Sequence, residues 1–443
     1  MKRRSFLRQS MAAAAAPFAG PAILSAKSPN SFFHVAAMGV GGMAGNTMRS
    51  VAQHDKVKVV GLCDVDSKTM EIAQHDFPDA KAFVDYREML TALGDTVDAV
   101  TIGTPDHMHA PMAVTSLRAG KHVYLQKPLT HHVMEARVLG QEAAKAGVIT
   151  QMGTQLHSSI ESRMTAEMIQ SGKIGRIKEV LCWENKPSSW WPKDTTRRQV
   201  GDPVPATLDW DRWLGVADVV PYQEGAYHPK QWRAWVDFGV GMMGDMGCHY
   251  FDLVFACLKL GSLNRVRSLG EISTGPLYAK SRHLELEFPG SDLTVDDTVK
   301  ITWTDGDAPY AKDKVIQPAA LKKEAGSCVY FIGEKGAIYK PHNQRPWLVP
   351  DANFTRDDYL TVPPANHYTD WVDACMAGQK AATDLPSYAC PLTEAVLLGV
   401  LAERHGGDWI EWDAAAAQIT NKPELNAELT RKYRDGWQVE GLG

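Results

Sequence analysis

The residues best placed to do chemistry sit in one short stretch, Lys121–His132, reading KHVYLQKPLTHH. His122–Leu125 is β-rich and apolar and reads as a buried strand. Pro128 has no N–H to give a sheet ladder, so the strand stops at Gln126-Lys127. Lys127 is thereby expected on a stiff corner at the carboxyl end of a strand, the edge at which open α/β sheets bind ligands. A lysine fixed beside a bound cofactor works as an acid/base. An isolated lysine is far more often a solvated surface residue, so the reading depends on what else the chain brings to that edge.

A second constellation lies in Gly239–Asp252, GVGMMGDMGCHYFD. Its glycines permit close backbone approach to a ligand. Asp245 and His249 are i,i+4 and share one face if a helix starts here, with Asp252 on roughly the same side. A divalent metal held by Asp245, His249 and an outside His157 or His228 is the competing use of these groups. No tight ligand spacing supports it, and no metal is expected.

These groups need a scaffold, and the first part of the chain supplies one. Phe32–Met38 is an apolar strand, followed by Gly39-Val40-Gly41-Gly42-Met43-Ala44 and a helical stretch, Asn46–Gln53. This is GxGxxA between strand and helix, where glycines let the backbone approach a pyrophosphate at the helix N-terminus. Val57–Leu62 is the next strand, and Asp64 at its tip suits the carboxylate that accepts from an adenosine ribose hydroxyl. A carboxylate there repels a 2′-phosphate, which favours NAD over NADP as cofactor. The alternation continues through Ala99–Ile102, which ends in Thr104-Pro105…His109, and Ile149–Met152, which ends in Gly153-Thr154-Gln155. Repeated strand–helix pairs of this size predict a doubly wound parallel sheet.

With the glycine loop, Thr104-Pro105…His109 and Gln126-Lys127-Pro128 give the chain a resemblance to the Gfo/Idh/MocA oxidoreductases. The resemblance implies an α/β architecture: an N-terminal Rossmann domain and a C-terminal α+β domain whose large, open, mostly antiparallel sheet covers the nicotinamide. It implies Lys127 as catalytic acid/base, with Asp245 and His249 meeting the sugar beside it. Gln126 stands where the family usually has glutamate and brings no charge to tune the lysine. The expected cofactor contacts are Gly39, Gly41, Gly42, Met43, Asp64, Thr104, Pro105, His109, Gln126, Lys127 and Gln155. The expected domains are an export signal over 1–30, a Rossmann domain over 31–155, and a substrate and oligomerisation domain over 156–443, its last helices packing back on the first.

Between Trp183 and Trp235 lie seven of the 13 tryptophans, in a proline-rich excursion that reads as a functional loop rather than a linker. Indole faces suit the apolar faces of sugars. Trp191 and Trp232 are the expected platform, with His157, Tyr227 and His228 as further substrate-side residues. Leu284–Phe288, Val299–Thr304 and Cys328–Ile332 read as strands of the second sheet, Leu392–Ala402 as a buried helix, and Trp412–Trp437 as polar and partly helical.

Net charge −5 gives no reason to expect nucleic acid or an anionic membrane as partner. The 7 cysteines are odd in number and lack any CxxC, so neither a disulfide framework nor a zinc site is expected. Lys2-Arg3-Arg4-Ser5-Phe6-Leu7 followed by a mild alanine-rich stretch resembles a twin-arginine export signal and implies a periplasmic protein without a membrane span in its mature part. Export limits the chemistry, because free NAD is not expected outside the cytoplasm and a cofactor used there must stay bound. The expected activity is oxidation of a sugar or glycoside hydroxyl, with C3 of a pyranoside favoured, on a retained cofactor. The alternatives are a redox-neutral glycosidase working through a 3-keto intermediate and a sugar-binding protein with structural NAD. A homo-oligomer is possible, but no feature of the chain decides it.

Overall fold

In the computed structural model, residues 32–185 and 191–443 are described. The arginine pair and the alanine-rich stretch lie outside them, as does Trp190.

Eleven elements alternate at the start: β1 (Phe33–Met38), α1 (Gly42–Val51), β2 (Val57–Cys63), α2 (Ser67–Asp76), β3 (Lys81–Phe83), α3 (Tyr86–Leu93), β4 (Ala99–Ile102), α4 (His109–Arg118), β5 (His122–Leu125), α5 (Val133–Ala146) and β6 (Thr150–Met152). The six strands form one parallel sheet in the order β3-β2-β1-β4-β5-β6. Strands buried on both faces need mostly apolar side chains, which Val35–Met38 supplies throughout and Ala99–Ile102 at every position but Thr101. The order reverses between β1 and β4, so the loops after those two strands splay apart and leave a crevice at their carboxyl ends. Helix α1 begins at Gly42, four residues before the periodicity predicts, because the glycine loop turns in fewer residues than the apolar pattern reveals.

The second half holds α6 (Ile160–Gln170), β7 (Ile177–Glu184), α7 (Trp210–Leu214), α8 (Cys248–Leu258), β8 (Arg265–Ser268), β9 (Arg282–Pro289), β10 (Thr298–Asp305), β11 (Ser327–Gly333), β12 (Ala337–Pro341), β13 (Trp347–Val349), α9 (Thr369–Ala377), α10 (Cys390–His405), β14 (Ile410–Asp413) and β15 (Gln418–Ile419). The nine strands run β13-β12-β11-β7-β10-β9-β8-β14-β15, antiparallel except for β7 with β10. Side-chain alternation sorts the faces. Val180 and Cys182 join the main core, while Leu181 and Trp183 turn to the other face among Tyr310, Tyr330 and Tyr339.

The tail is partly helical as expected, with a 3-10 stretch at Pro423–Leu429, and it also contributes strands. Ile410 and Trp412 alternate inward, and β14 extends the sheet by pairing with β8. α9 packs back on the first sheet, with Trp371 edge-on to Phe33 and Tyr124. Among the described residues one helix is long and apolar enough to cross a bilayer, Leu385–His405, and most of it is buried inside the protein.

Candidate active site

The nucleotide end is built from backbone. Gly39 has φ +78°, and a Cβ there would lie 3.1 Å from the main chain of Gly103, so β1 and β4 hand over to their loops in contact. Gly42, at φ +51°, faces open space where a side chain would intrude. α1 has neither a side-chain cap nor an acidic residue in its first turn, so its first N–H groups are left for an anion. Asp64 holds this loop: its Oδ2 accepts from Val40 N–H at 2.9 Å and its Oδ1 from Asp66 N–H at 3.0 Å. Burial raises its pKa above the usual carboxylate value, against those two N–H donors. These features fit a dinucleotide pyrophosphate and ribose.

The reactive end joins the two halves of the chain. Lys127 Nζ donates to Asp245 Oδ1 and to the Asp245 carbonyl, both at 2.7 Å. Asp245 lies in a π-helical turn, Met243–Gly247, that runs directly into α8. Such turns widen a helix locally and are frequent at functional sites. Arg233 Nε approaches the same carboxylate oxygen at 3.2 Å. Burial alone would raise the Asp245 pKa, but Lys127 and Arg233 outweigh it and hold the group well below the usual carboxylate range. Asp106 is buried beside these charges, and burial pushes its pKa up to about 8 against the pull of Arg233 and Lys127. The His109 ring lies between the carbonyls of Thr104 (2.8 Å) and Pro128 (2.7 Å), so it ties the ends of β4 and β5 together. Gln126 Nε2 donates to Thr47 Oγ1 at 2.8 Å, which anchors α1 to the corner that carries Lys127.

One continuous cavity of about 1430 Å³ runs from the glycine loop to this charge cluster and beyond. Each residue expected to touch cofactor lines it: Gly39, Gly41, Gly42, Met43, Asp64, Thr104, Pro105, His109, Gln126, Lys127 and Gln155. Asp245 and His249 line it as well. Of the residues expected on the substrate side, only His228 and Trp232 do. His228 lies 3.2 Å from Asp66 at the nucleotide end. Trp232 lies beneath the Arg233 guanidinium, 4.3 Å from its ring centroid.

Three expected substrate contacts lie elsewhere. Tyr227 is fully buried in an aromatic cluster and donates to Gln223. Trp191 is in the core, its indole N–H on the Tyr278 carbonyl at 3.2 Å. His157 lines a separate cavity of about 210 Å³ and pairs with Asp252 at 3.0 Å. Burial would lower its pKa, but Asp252 reverses that and raises it. Arg233, Asp106 and the turn His342–Gln344 line the main cavity without having been singled out in the sequence. Asp106 lay inside the motif already noted; the others gave no local signal. Among the described residues no group of three or more His, Cys, Asp or Glu is placed to hold a metal ion.

Comparison with known proteins decides the family. The model of an oxidoreductase family with an NAD-binding Rossmann fold matches residues 33–154, and that of its C-terminal alpha/beta domain matches 159–267. The chain belongs to the Gfo/Idh/MocA oxidoreductase family. A glycosyl hydrolase family 109 protein of Shewanella pealeana is 24% identical over 171 residues, 36% of this chain and 37% of that relative. A 1,5-anhydro-D-fructose reductase of Ensifer adhaerens is 35% identical over 80 residues, 18% of this chain and 24% of the reductase. The chain thus spans well under half the length of either relative. The WlbA dehydrogenase of Bordetella pertussis, solved with NADH and UDP-GlcNAcA, superposes with a TM-score of 0.60 at 17% identity, covering 86% of this chain and 99% of that one. GenD2 from gentamicin A biosynthesis, solved with NAD, gives 0.56 at 16% identity over 87% of this chain and 97% of that one. At such identities the likeness is one of fold. The family is one of NAD-binding oxidoreductases, and the relatives named are sugar-related.

Proposed function

We propose that the protein oxidises a ring hydroxyl of a sugar or glycoside, C3 of a pyranoside being favoured, on an NAD that it does not release between turnovers, a second, carbonyl-bearing substrate taking the hydride back in the same site. The observation that carries this reading is the Lys127–Asp245 pair, 2.7 Å apart in the cavity that the glycine loop also lines. Bound NAD supplies the hydride acceptor. Lys127 Nζ takes the hydroxyl proton as the carbon is oxidised and returns it in the reverse direction. Asp245 and Arg233 fix that amine, so the hydroxyl is met in one orientation. His249 shares the cavity and orients a neighbouring hydroxyl.

Retention of the cofactor is supported by how the tryptophan-rich excursion lies on the nucleotide end. Asp66 and Leu208 form a β-bridge, Ser67 N–H donates to Thr207 O at 2.8 Å, and Asp209 N–H to Val65 O at 2.9 Å. The loop after β2, which the reading assigns to the adenosine, is therefore covered by the tryptophan-rich excursion. This suits a protein that works outside the cytoplasm, the location proposed from Arg3-Arg4.

A redox-neutral glycosidase is the second reading, favoured by the family 109 relatives. It requires a second base, and of His157, Tyr227 and His228 only His228 lines the cavity, held at its nucleotide end. Purified protein incubated with a panel of glucosides separates the readings. Reduced-nicotinamide absorbance with a keto sugar by mass spectrometry supports the oxidoreductase. Free aglycone without net reduction supports the glycosidase. Absence of both products overturns the proposal and leaves a sugar-binding protein.

A further inference from the structure

The reactive groups occupy only part of the cavity. Its volume, about 1430 Å³, exceeds the roughly 300–1,000 Å³ typical of a single-ligand site, as a cavity shared by a dinucleotide and a substrate requires. Beyond His249 it continues to the turn after β12, where His342, Asn343 and Gln344 line it together with Asn185 and Ser327. The His342 ring lies 5.7 Å from that of His249, so this region adjoins the reactive end.

The turn is held by a buried polar framework. His342 N–H donates to Ser327 O at 3.0 Å and Gln344 N–H to Pro341 O at 3.3 Å. Lys340 is 2% exposed and donates its Nζ to the carbonyls of Pro341 (2.9 Å) and His342 (3.1 Å). An ammonium so far from water is costly unless its donors are matched, and here it is matched to the carbonyls that shape the turn. Below, the buried Glu184 carboxylate accepts from Tyr250 O–H and Ser327 O–H, both at 2.8 Å. The Tyr250 ring stacks on His342 with centroids 5.2 Å apart and planes 10° from parallel. Asn343 and Gln344 themselves stay exposed, each carrying a donor and an acceptor. Arg345, next in the chain, stacks on Trp347 at 4.0 Å and does not line the cavity.

We infer that the His342–Gln344 turn recognises a second, uncharged sugar ring, so that the substrate is a disaccharide or larger glycoside rather than a free monosaccharide. Side-chain amides pair with the neighbouring hydroxyls of such a ring, and the turn brings no cation for the phosphates of a nucleotide-linked sugar. The inference rests on the sugar reading above and narrows its substrate class.

The test is calorimetric titration of the NAD-loaded full chain with cellobiose, maltose and lactose, and with glucose and galactose. At least one disaccharide is expected to bind about tenfold or more tighter than its component rings, and Asn343→Ala/Gln344→Ala to bring that ratio close to one. Equal binding of disaccharides and monosaccharides, a ratio that survives the double variant, or no sugar binding at all overturns the inference. Reduced-nicotinamide absorbance is followed separately. Disaccharide preference without hydride transfer sinks the redox reading and leaves the subsite standing, whereas hydride transfer from monosaccharides without that preference sinks only the subsite.

Discussion

Lys127 and Asp245 are 118 positions apart in sequence, and their side chains meet at 2.7 Å. The lysine amine also reaches the main-chain carbonyl of Asp245 at 2.7 Å, so it is bound to the π-helical turn itself as well as to the carboxylate. The Lys127-Pro128 corner of the first domain is thus fastened to the Met243–Gly247 turn of the second, and the proposed proton-transfer group sits on the joint.

Removing the amine should therefore affect chemistry before binding. Lys127→Ala is expected to lower the rate of nicotinamide reduction by roughly 10²–10⁴, the usual worth of a positioned acid/base, while NAD still titrates into the protein. Asp245→Asn keeps the shape but loses the charge that holds the amine, and should fall in the same range with a shifted pH–rate profile. Single-turnover absorbance with calorimetry on each variant checks both. A Lys127→Ala rate within a few-fold of the parent removes that residue from the mechanism.

Asp106 yields a stability prediction with a definite sign. Its pKa in the folded chain, about 8, is above its ordinary value of 3.8. Between those pH values the folded protein keeps a proton that the unfolded chain releases, so this group costs stability progressively as pH rises from about 4 to 8. Asp106→Asn removes that cost. Its melting temperature relative to the parent should climb across that window and level off above it, the underlying stability difference growing by up to about 1.4 kcal/mol per pH unit. Calorimetric melts of both proteins at pH 5, 6, 7 and 8 test this, and a constant offset would contradict it.

The nucleotide end was legible in the sequence because its signals are local. A glycine loop, an acidic strand tip and Thr104-Pro105 each sit where a strand hands over to a helix, and the strand order brings them together. The reactive end was legible only in part. Asp245 and His249 were placed on one helical face, but the π-helical turn that presents Asp245 has no sequence signature. Arg233 comes to that carboxylate from the tryptophan-rich excursion, and the His342–Gln344 turn from the edge of the second sheet, so neither shows in any window of sequence. Tryptophan and tyrosine content misled for a related reason. Trp191 and Tyr227 satisfy their polar atoms on Tyr278 and Gln223 inside the protein, and composition does not distinguish an indole facing a ligand from one facing a carbonyl.

The second domain carries its own internal charge cluster. Arg282 donates to Glu403 at 2.7 Å and to Asp305 at 2.9 Å, and all three side chains are almost wholly buried. Burial would depress the Arg282 pKa, but the two carboxylates raise it above its ordinary value. Deleting Glu403 leaves Arg282 paired with Asp305 but takes the acceptor from two buried donors, Arg282 Nε and the Ala279 N–H. Glu403→Ala should cost about 2–5 kcal/mol, the worth of leaving two buried donors unsatisfied, read from denaturant unfolding, and a loss under about 1 kcal/mol would mean that the cluster is hydrated.

The proposed retention of the cofactor rests on the contact between the excursion and the loop after β2. Asp66 caps α2 through Lys68 N–H at 3.1 Å, and its other oxygen lies 3.2 Å from His228 Nε2. One side chain therefore orders the nucleotide loop and links it to the covering segment. His228→Ala removes the link while leaving the cap in place. The release rate of bound NAD should rise by up to about tenfold, the worth of one such hydrogen bond, with little change in how fast NAD enters, since interface changes act mostly on dissociation. Stopped-flow displacement of reduced cofactor, followed by its fluorescence, measures the release. A rate unchanged from the parent would mean that the cover does not hold the nucleotide, and the export-compatible chemistry would lose its structural support.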